Sequence, residues 1–195
     1  LVFFDHKFFD IPSTMVASCR IAAEMGADWV TVHALAGPQA LKELVILETE
    51  LRLKNPNFRI LAVTLLTSFS ADTLPAGLSG KSIGETVMEL AQQAYDCGVR
   101  SFVCSPEEVK SLSTKFEKSF FVVPGIRPQG SHHGDQTRVA TPEVALKAGA
   151  SALVIGRPFL AAKEPAAPVL LGLHRHGRQH PCRPYGCLLY TSPSP

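Results

Sequence analysis

The sequence predicts an α/β fold, and more narrowly an incomplete (β/α)8 TIM barrel with about six of its eight units present, strands three to eight. Three observations carry this. Short apolar runs alternate six times with segments of helical period, the pattern of strand–helix units that feed a parallel sheet. Most of the runs are continuously apolar, as strands covered on both faces must be. Polar residues collect at the carboxyl ends of the first, third, fifth and sixth runs, which a closed barrel gathers round one mouth. A doubly wound sheet would also fit six units, and periodicity does not separate the two; the placement of the polar residues favours the barrel. Leu1 begins almost inside a strand, so the expectation is that two further units precede it.

The first strand lies in Leu1-Val-Phe-Phe-Asp5-His-Lys7-Phe-Phe-Asp10, where Ile11-Pro12 breaks it. Ser13 or Thr14 can cap the helix that follows to about Met25. Gly26-Ala-Asp28 stops that helix, Trp29-Val-Thr-Val-His33 is the second strand, and Gly37-Pro38 opens a helix with Leu41, Leu44, Val45 and Leu47 at helical spacing. Arg59 to Leu66 is the third strand, ending in Thr67-Ser68, and a polar loop leads to a helix over Ile83 to Cys97. Ser101 to Cys104 is the fourth strand, after which Ser105 serves as N-cap with Pro106 at N1 and two acids in the first turn. Phe120 to Pro124 is the fifth, followed by a long polar loop to Arg138 and a helix that Thr141 caps and Gly149 ends. Ala152 to Ile155 is the sixth, with Gly156-Arg157-Pro158 opening a last helix near Ala162.

Composition removes several function classes. The chain has 195 residues, 46% of them hydrophobic, and a mean hydropathy of +0.13, enough for one domain with a sizeable core. No apolar run approaches the ~20 residues of a membrane span, and the start lacks the basic residues and small-residue cleavage site of a secretory signal. A cytoplasmic address and no membrane partner are expected. The formal charge is +2, but residues 165 to 195 hold Arg175, Arg178 and Arg183 and no acid. Without them the balance is slightly negative, and nothing remains to attract nucleic acid over a broad surface. Cys19, Cys97 and Cys104 stand singly in apolar patterns, as reduced core residues do.

Beyond about Gly172 helical and strand periods disappear, and Cys187 to Pro195 looks like translated sequencing-adapter read-through. The expected division is therefore a partial barrel over 1–165 and, over 166–195, the end of the last helix plus a non-native, disordered tail. His174, His176, His180, Cys182 and Cys187 are zinc-ligand types, but their spacing matches no paired pattern, so no metal site is expected.

The chemistry concentrates at two places. Strand side chains alternate, so Asp5 and Lys7 share one face while Val2 and Phe4 take the other, and Asp10 follows three residues on. A lone charge at a strand end usually marks the exit from the core; three alternating charges where a strand hands over to a helix mark a candidate site. At the other end of the chain, Val123-Pro-Gly-Ile-Arg127-Pro-Gln-Gly and Val154-Ile-Gly156-Arg157-Pro158 follow the last two strands, where barrels commonly seat a phosphate on backbone N–H groups with an Arg beside it. His33, closing the second strand, reads either as an acid–base group or as a hydrogen-bonded support of the mouth, while His132 and His133 are expected to face water.

The run Asp5-x-Lys7-x-x-Asp10-Ile11-Pro12-x-Thr14 resembles the signature of the orotidine 5'-phosphate decarboxylase family. Pro124 to Pro128, Gly134-Asp135-Gln136, Ile155 to Pro158, Val63 to Ser68 and Val30 to Ala34 extend the resemblance over roughly residues 1 to 165. Sugar-phosphate decarboxylases and aldolases of the same superfamily share Asp-x-Lys-x-x-Asp but typically continue with Ala or Gly where this chain has Ile11-Pro12. They are the alternative enzyme reading and would need a metal; an inactive phosphate-binding fragment is the alternative of another class. The chain as given is itself expected to be inactive, because an open barrel two strands short exposes its sheet edges and lacks part of the charged network.

The resemblance implies decarboxylation of orotidine 5'-phosphate to UMP, the last step of pyrimidine nucleotide synthesis, with no cofactor. Lys7 would donate the proton to carbon 6 of the ring. Asp5 would crowd the substrate carboxylate, and Asp10, with Ile11 and Thr14, would reach the partner's site in a homodimer. Thr67 and Ser68 would contact base or ribose. Arg127, Gln136, Gly156 and Arg157 would hold the phosphate, with 127 to 138 closing over it. The chain departs from the family pattern in three ways. The aspartate of the first family strand and the lysine of the second are absent, His6 takes an outward position that is normally apolar, and Phe9 stands where bacterial relatives often have His. His6, expected under a helix, is given no catalytic role.

Overall fold

The computed structural model describes residues 1–78, 80–127 and 139–156. In chain order they form β1 (Phe3–Phe8), α1 (Pro12–Glu24), β2 (Trp29–His33), α2 (Gly37–Arg52), β3 (Arg59–Val63), α3 (Ile83–Asp96), β4 (Ser101–Val103), α4 (Val109–Lys115), β5 (Phe120–Val123), α5 (Pro142–Lys147) and β6 (Ala152–Leu153). The strands make one sheet in the order β1-β2-β3-β4-β5-β6, every neighbouring pair parallel. The order never reverses. A doubly wound sheet must reverse it to place helices on both faces, whereas right-handed crossovers in one direction put every helix on the same face. The result is an open part-barrel, and every strand delivers its carboxyl end to one rim.

Residue parity explains the two sides of this sheet. Val30, Val32 and Ile60 turn outward and pack with Met15 and Cys19 of α1 and Leu44 and Leu47 of α2. Ala62, Phe102, Phe121 and Val123 do the same against Leu41, Val87, Ala91, Leu112 and Phe116. The alternate positions Phe3, Trp29, Leu61, Val63, Val103 and Val122 form the inner layer. Trp29 closes its base, edge-on to Phe3 at 6.0 Å and to Phe120 at 5.2 Å between ring centres. Arg59 lies 4.3 Å over the Phe120 ring. The bottom of the part-barrel is thus plugged by aromatics, at the opposite end from the carboxyl-terminal rim.

Several boundaries differ from the sequence reading. Neither Ser13 nor Thr14 caps α1: Ile11 is the N-cap, with no side-chain bond, and Pro12 is the first helical residue, because proline's fixed φ suits N1 and fills the position a cap would precede. Helix α4 begins at Val109 with Glu108 as N-cap, later than expected. Ser105 instead organises the turn before it: its hydroxyl accepts from the Glu107 N–H at 3.2 Å, and its own N–H donates to the Glu108 carboxylate at 3.1 Å. Strand β3 stops at Val63, not Leu66. The Thr141 cap on α5 is as expected, its hydroxyl accepting from the Val144 N–H. Cys19, Cys97 and Cys104 are free thiols, and burial pushes the Cys19 thiol up to about 12, which leaves it inert as a nucleophile. No helix among the described residues is long and apolar enough to cross a membrane. The last helix near Ala162 and the tail from 166 lie outside the described residues.

Candidate active site

Strand β1 does not run evenly along β2. Its register pairs Phe4 with Val30 and Phe8 with Val32, so β1 takes four steps where β2 takes two. The surplus is absorbed by a bulge at whose end Lys7 adopts φ +55°, the one non-glycine residue at positive φ among those described. An L-residue pays on the order of 1–2 kcal/mol for that conformation, and bulges of this kind commonly re-aim a side chain beside an active site. Here the re-aimed side chain is the lysine.

Its ammonium meets Asp5 Oδ2 at 2.7 Å, as the shared strand face predicted. The second carboxylate oxygen, Oδ1, accepts from the hydroxyl of Thr31 on β2 at 2.9 Å, and that same hydroxyl accepts from the Lys7 backbone N–H at 2.9 Å. Thr31 is wholly buried. The pair itself is only partly covered, with 35% of the Lys7 side chain and 20% of Asp5 exposed, so it keeps access to the mouth.

His33, two residues beyond Thr31, also belongs to this rim. Burial first, and then the charge of Lys7, hold its imidazole below the usual histidine range, so it is neutral near pH 7. Its buried Nδ1 has no hydrogen-bond partner among the described residues. The hydrogen-bonded support anticipated for it is therefore absent at Nδ1; the ring packs instead 5.7 Å from Phe9.

Asp10, Ile11 and Thr14 stand exposed where β1 gives way to α1. Asp10 Oδ1 accepts from the Ile11 N–H at 2.7 Å. A cleft of about 280 Å3 is lined by Lys7, Phe9, Asp10 and Thr14, among others, so the predicted residues Lys7, Asp10 and Thr14 share one depression. His6 is exposed between the rings of Phe4, at 5.7 Å, and Phe8, at 4.8 Å. It is not under a helix among the described residues, since it stands exposed on the outward face of β1.

Of the remaining predicted residues, Thr67, Ser68, Arg127 and Gly156 follow strands of the same rim further round. Thr67 is buried and Ser68 exposed just after β3. After β5, Gly125 turns the chain at φ +78°, and the Arg127 N–H donates to the Ala140 carbonyl at 2.9 Å, tying the two ends of the long loop together. Arg127 is 7% exposed, and its guanidinium donates to the Ile126 carbonyl at 2.9 Å. Gly156 follows β6, half-buried. Gln136 and Arg157 lie outside the described residues, as do His132 and His133. Among the described residues no three His, Cys, Asp or Glu side chains group as a metal site. A larger cavity, about 540 Å3, opens among Pro38, Met88 and Cys97 on the helical side; it shares no residue with the rim.

Thr31 was not singled out from sequence. The available signal was parity: in Trp29-Val-Thr-Val-His33 the threonine and histidine fall on the inner side with Trp29. What could not be seen was the bulge that brings a backbone N–H to it.

An acid–amine pair at one part of the rim and an arginine-bearing turn after β5, on an open part-barrel of six parallel strands, place the chain with the (β/α)8-barrel proteins. Comparison with known proteins narrows this. Residues 1–170 match the model of the "Orotidine 5'-phosphate decarboxylase / HUMPS family", and the chain belongs to that family. It is 46% identical over 169 residues to orotidine 5'-phosphate decarboxylase of Synechococcus sp. strain CC9311, covering 85% of this chain and 70% of that protein. The protein of the same name from Parasynechococcus marenigrum is 47% identical over 172 residues, with 69% of it covered. The crystal structure of orotidine 5'-phosphate decarboxylase from Lactobacillus acidophilus superposes with a TM-score of 0.74 at 35% identity, covering 87% of this chain and 72% of that one.

Proposed function

We propose that the chain is a carboxy-lyase that converts orotidine 5'-phosphate to UMP, with the residues of the β1 rim carrying the chemistry. The observation that carries this is the Lys7–Asp5 pair, held at 2.7 Å and left accessible at the mouth. In the reaction the bond between ring carbon 6 and the carboxylate breaks, carbon dioxide leaves, and the electron pair remains on carbon 6. The Lys7 ammonium gives its proton to that carbon and is reprotonated from water. Asp5 lies beside the substrate carboxylate and repels it, and that repulsion is relieved as the negative charge moves from the carboxylate to carbon 6, next to the Lys7 ammonium. A cation placed in advance next to the developing carbanion supplies the electrostatic stabilisation. Arg127, Gln136, Gly156 and Arg157 hold the phosphate, whose remote binding energy keeps the substrate against Asp5. Thr67 and Ser68 contact base or ribose.

The same reading makes the protein a homodimer in which Asp10, Ile11 and Thr14 reach the neighbouring site. Phe9 and Ile11, each 63% exposed on either side of Asp10, support it, since adjacent exposed apolar residues favour an interface. The test is release of carbon dioxide from orotidine 5'-phosphate. Lys7→Ala is expected to lose most turnover while still binding UMP; unchanged turnover would remove Lys7 from the mechanism. Activity that disappears with a chelator would point instead to the metal-dependent sugar-phosphate chemistry that the broader family name admits.

A further inference from the structure

Lys7, Asp5 and Thr31 form a closed circuit. The Lys7 N–H donates to Thr31 Oγ1, Thr31 Oγ1 donates to Asp5 Oδ1, and Asp5 Oδ2 accepts from Lys7 Nζ, at 2.9, 2.9 and 2.7 Å. One hydroxyl therefore fixes two separate things. As acceptor it holds the Lys7 backbone in the left-handed region, at φ +55°, a conformation that side chain-bearing residues keep only where the surroundings over-determine it. As donor it fixes the carboxylate of Asp5, and through the second oxygen the direction of the ammonium. Thr31 can do both because it is rigid. It is fully buried within β2, paired through the backbone to Leu61 of β3, and its branched side chain has few rotamers.

We propose that Thr31 is a positioning residue for the decarboxylation: it locks Lys7 in its left-handed turn and Asp5 in a single rotamer, so that the ammonium is aimed at the mouth before substrate arrives. The inference rests on the function proposed above for Lys7 and Asp5. Without the hydroxyl, Lys7 relaxes toward an extended φ and the ammonium swings away from its site. Misplacement by about an ångström costs on the order of 100-fold in rate.

The experiment compares the full chain with Thr31→Val, which keeps the shape and removes the hydroxyl, and with Thr31→Ser, which restores it. For Thr31→Val we expect kcat on orotidine 5'-phosphate to fall on the order of 10- to 100-fold with KM little changed, and for Thr31→Ser most of the loss to be recovered. NMR supplies a readout independent of turnover. In the unsubstituted chain the Lys7 amide is protected from exchange and its HN–Hα coupling is that of a left-handed residue; in Thr31→Val protection is lost and the coupling moves to the larger value of an extended one. A Lys7 amide that exchanges freely in the unsubstituted chain overturns the proposal even if no variant folds. So does a folded Thr31→Val that keeps its kcat, or one that loses it with the Lys7 amide unchanged. If the unsubstituted chain fails to turn over orotidine 5'-phosphate, it is the proposed reaction that falls, and the amide measurements still decide the role of Thr31.

Discussion

Lys7 and His33 are two potential cations on adjacent strands, and the site tolerates them because only one is charged. Burial and the neighbouring ammonium both disfavour imidazolium at His33. The stability that the neutral imidazole contributes is therefore present above the ordinary histidine pKa and is lost as pH falls through the lowered one. We predict an NMR titration midpoint for His33 below that of an exposed histidine. Lys7→Ala moves it part of the way back, because one of the two causes is removed and burial remains. A midpoint at or above the ordinary value in the unsubstituted chain would contradict this. The Asp5–Lys7 pairing was legible in advance, since it needs only the alternation of a strand. The partner that fixes both was not, because a bulge is a relation between two strands and leaves no mark in either alone.

At the scale of elements, α2 carries an acid into the apolar layer it covers. Glu48 reaches among Val32, Leu44, Val45, Ile60 and Val99, and burial raises its carboxyl to about 7 against the pull of Arg52, Arg59 and the Ile60 backbone. A carboxyl raised on folding stabilises below its unfolded pKa, and that contribution is lost as pH climbs through the folded value. Denaturant melts between about pH 5 and pH 8 should show a loss approaching 2–3 kcal/mol from this group. Glu48→Gln should flatten the profile and exceed the parent above pH 7; identical profiles would refute the assignment. The end of α5 offers a second test. Gly149 has φ +106°, and a Cβ there would fall within 2.7 Å of the Ser113 Cβ on α4, so Gly149→Ala should destabilise by roughly 1–3 kcal/mol. A variant that melts with the parent would show that α4 can move aside. Helix stops at glycine were legible from sequence; the close approach of α5 to α4 was not.

On the scale of the whole molecule, β1 has a sheet neighbour on one side only among the described residues. Its outward face carries Val2, 54% exposed, and Phe4, 37% exposed. An edge of this kind is a template for pairing with another chain. We expect light scattering of the 195-residue chain to rise with concentration, and Phe4→Lys, which places a charge on the edge, to raise the concentration at which it does so. Scattering that is low and identical in both would show that the edge is not the contact.

The sequence by itself determined the number and order of the strands, the face shared by Asp5 and Lys7, and the turn after the fifth strand that carries Arg127. Each follows from alternation, helical period or local turn chemistry, which act over a few neighbouring residues. Only the tertiary structure decided between a barrel and a doubly wound sheet, because the choice depends on whether strand order reverses, a relation among segments far apart in the chain. It also decided that β1 slips against β2, turning Lys7 left-handed and bringing Thr31 beneath it. Both are matters of register between strands, and register is set by the packing of whole faces.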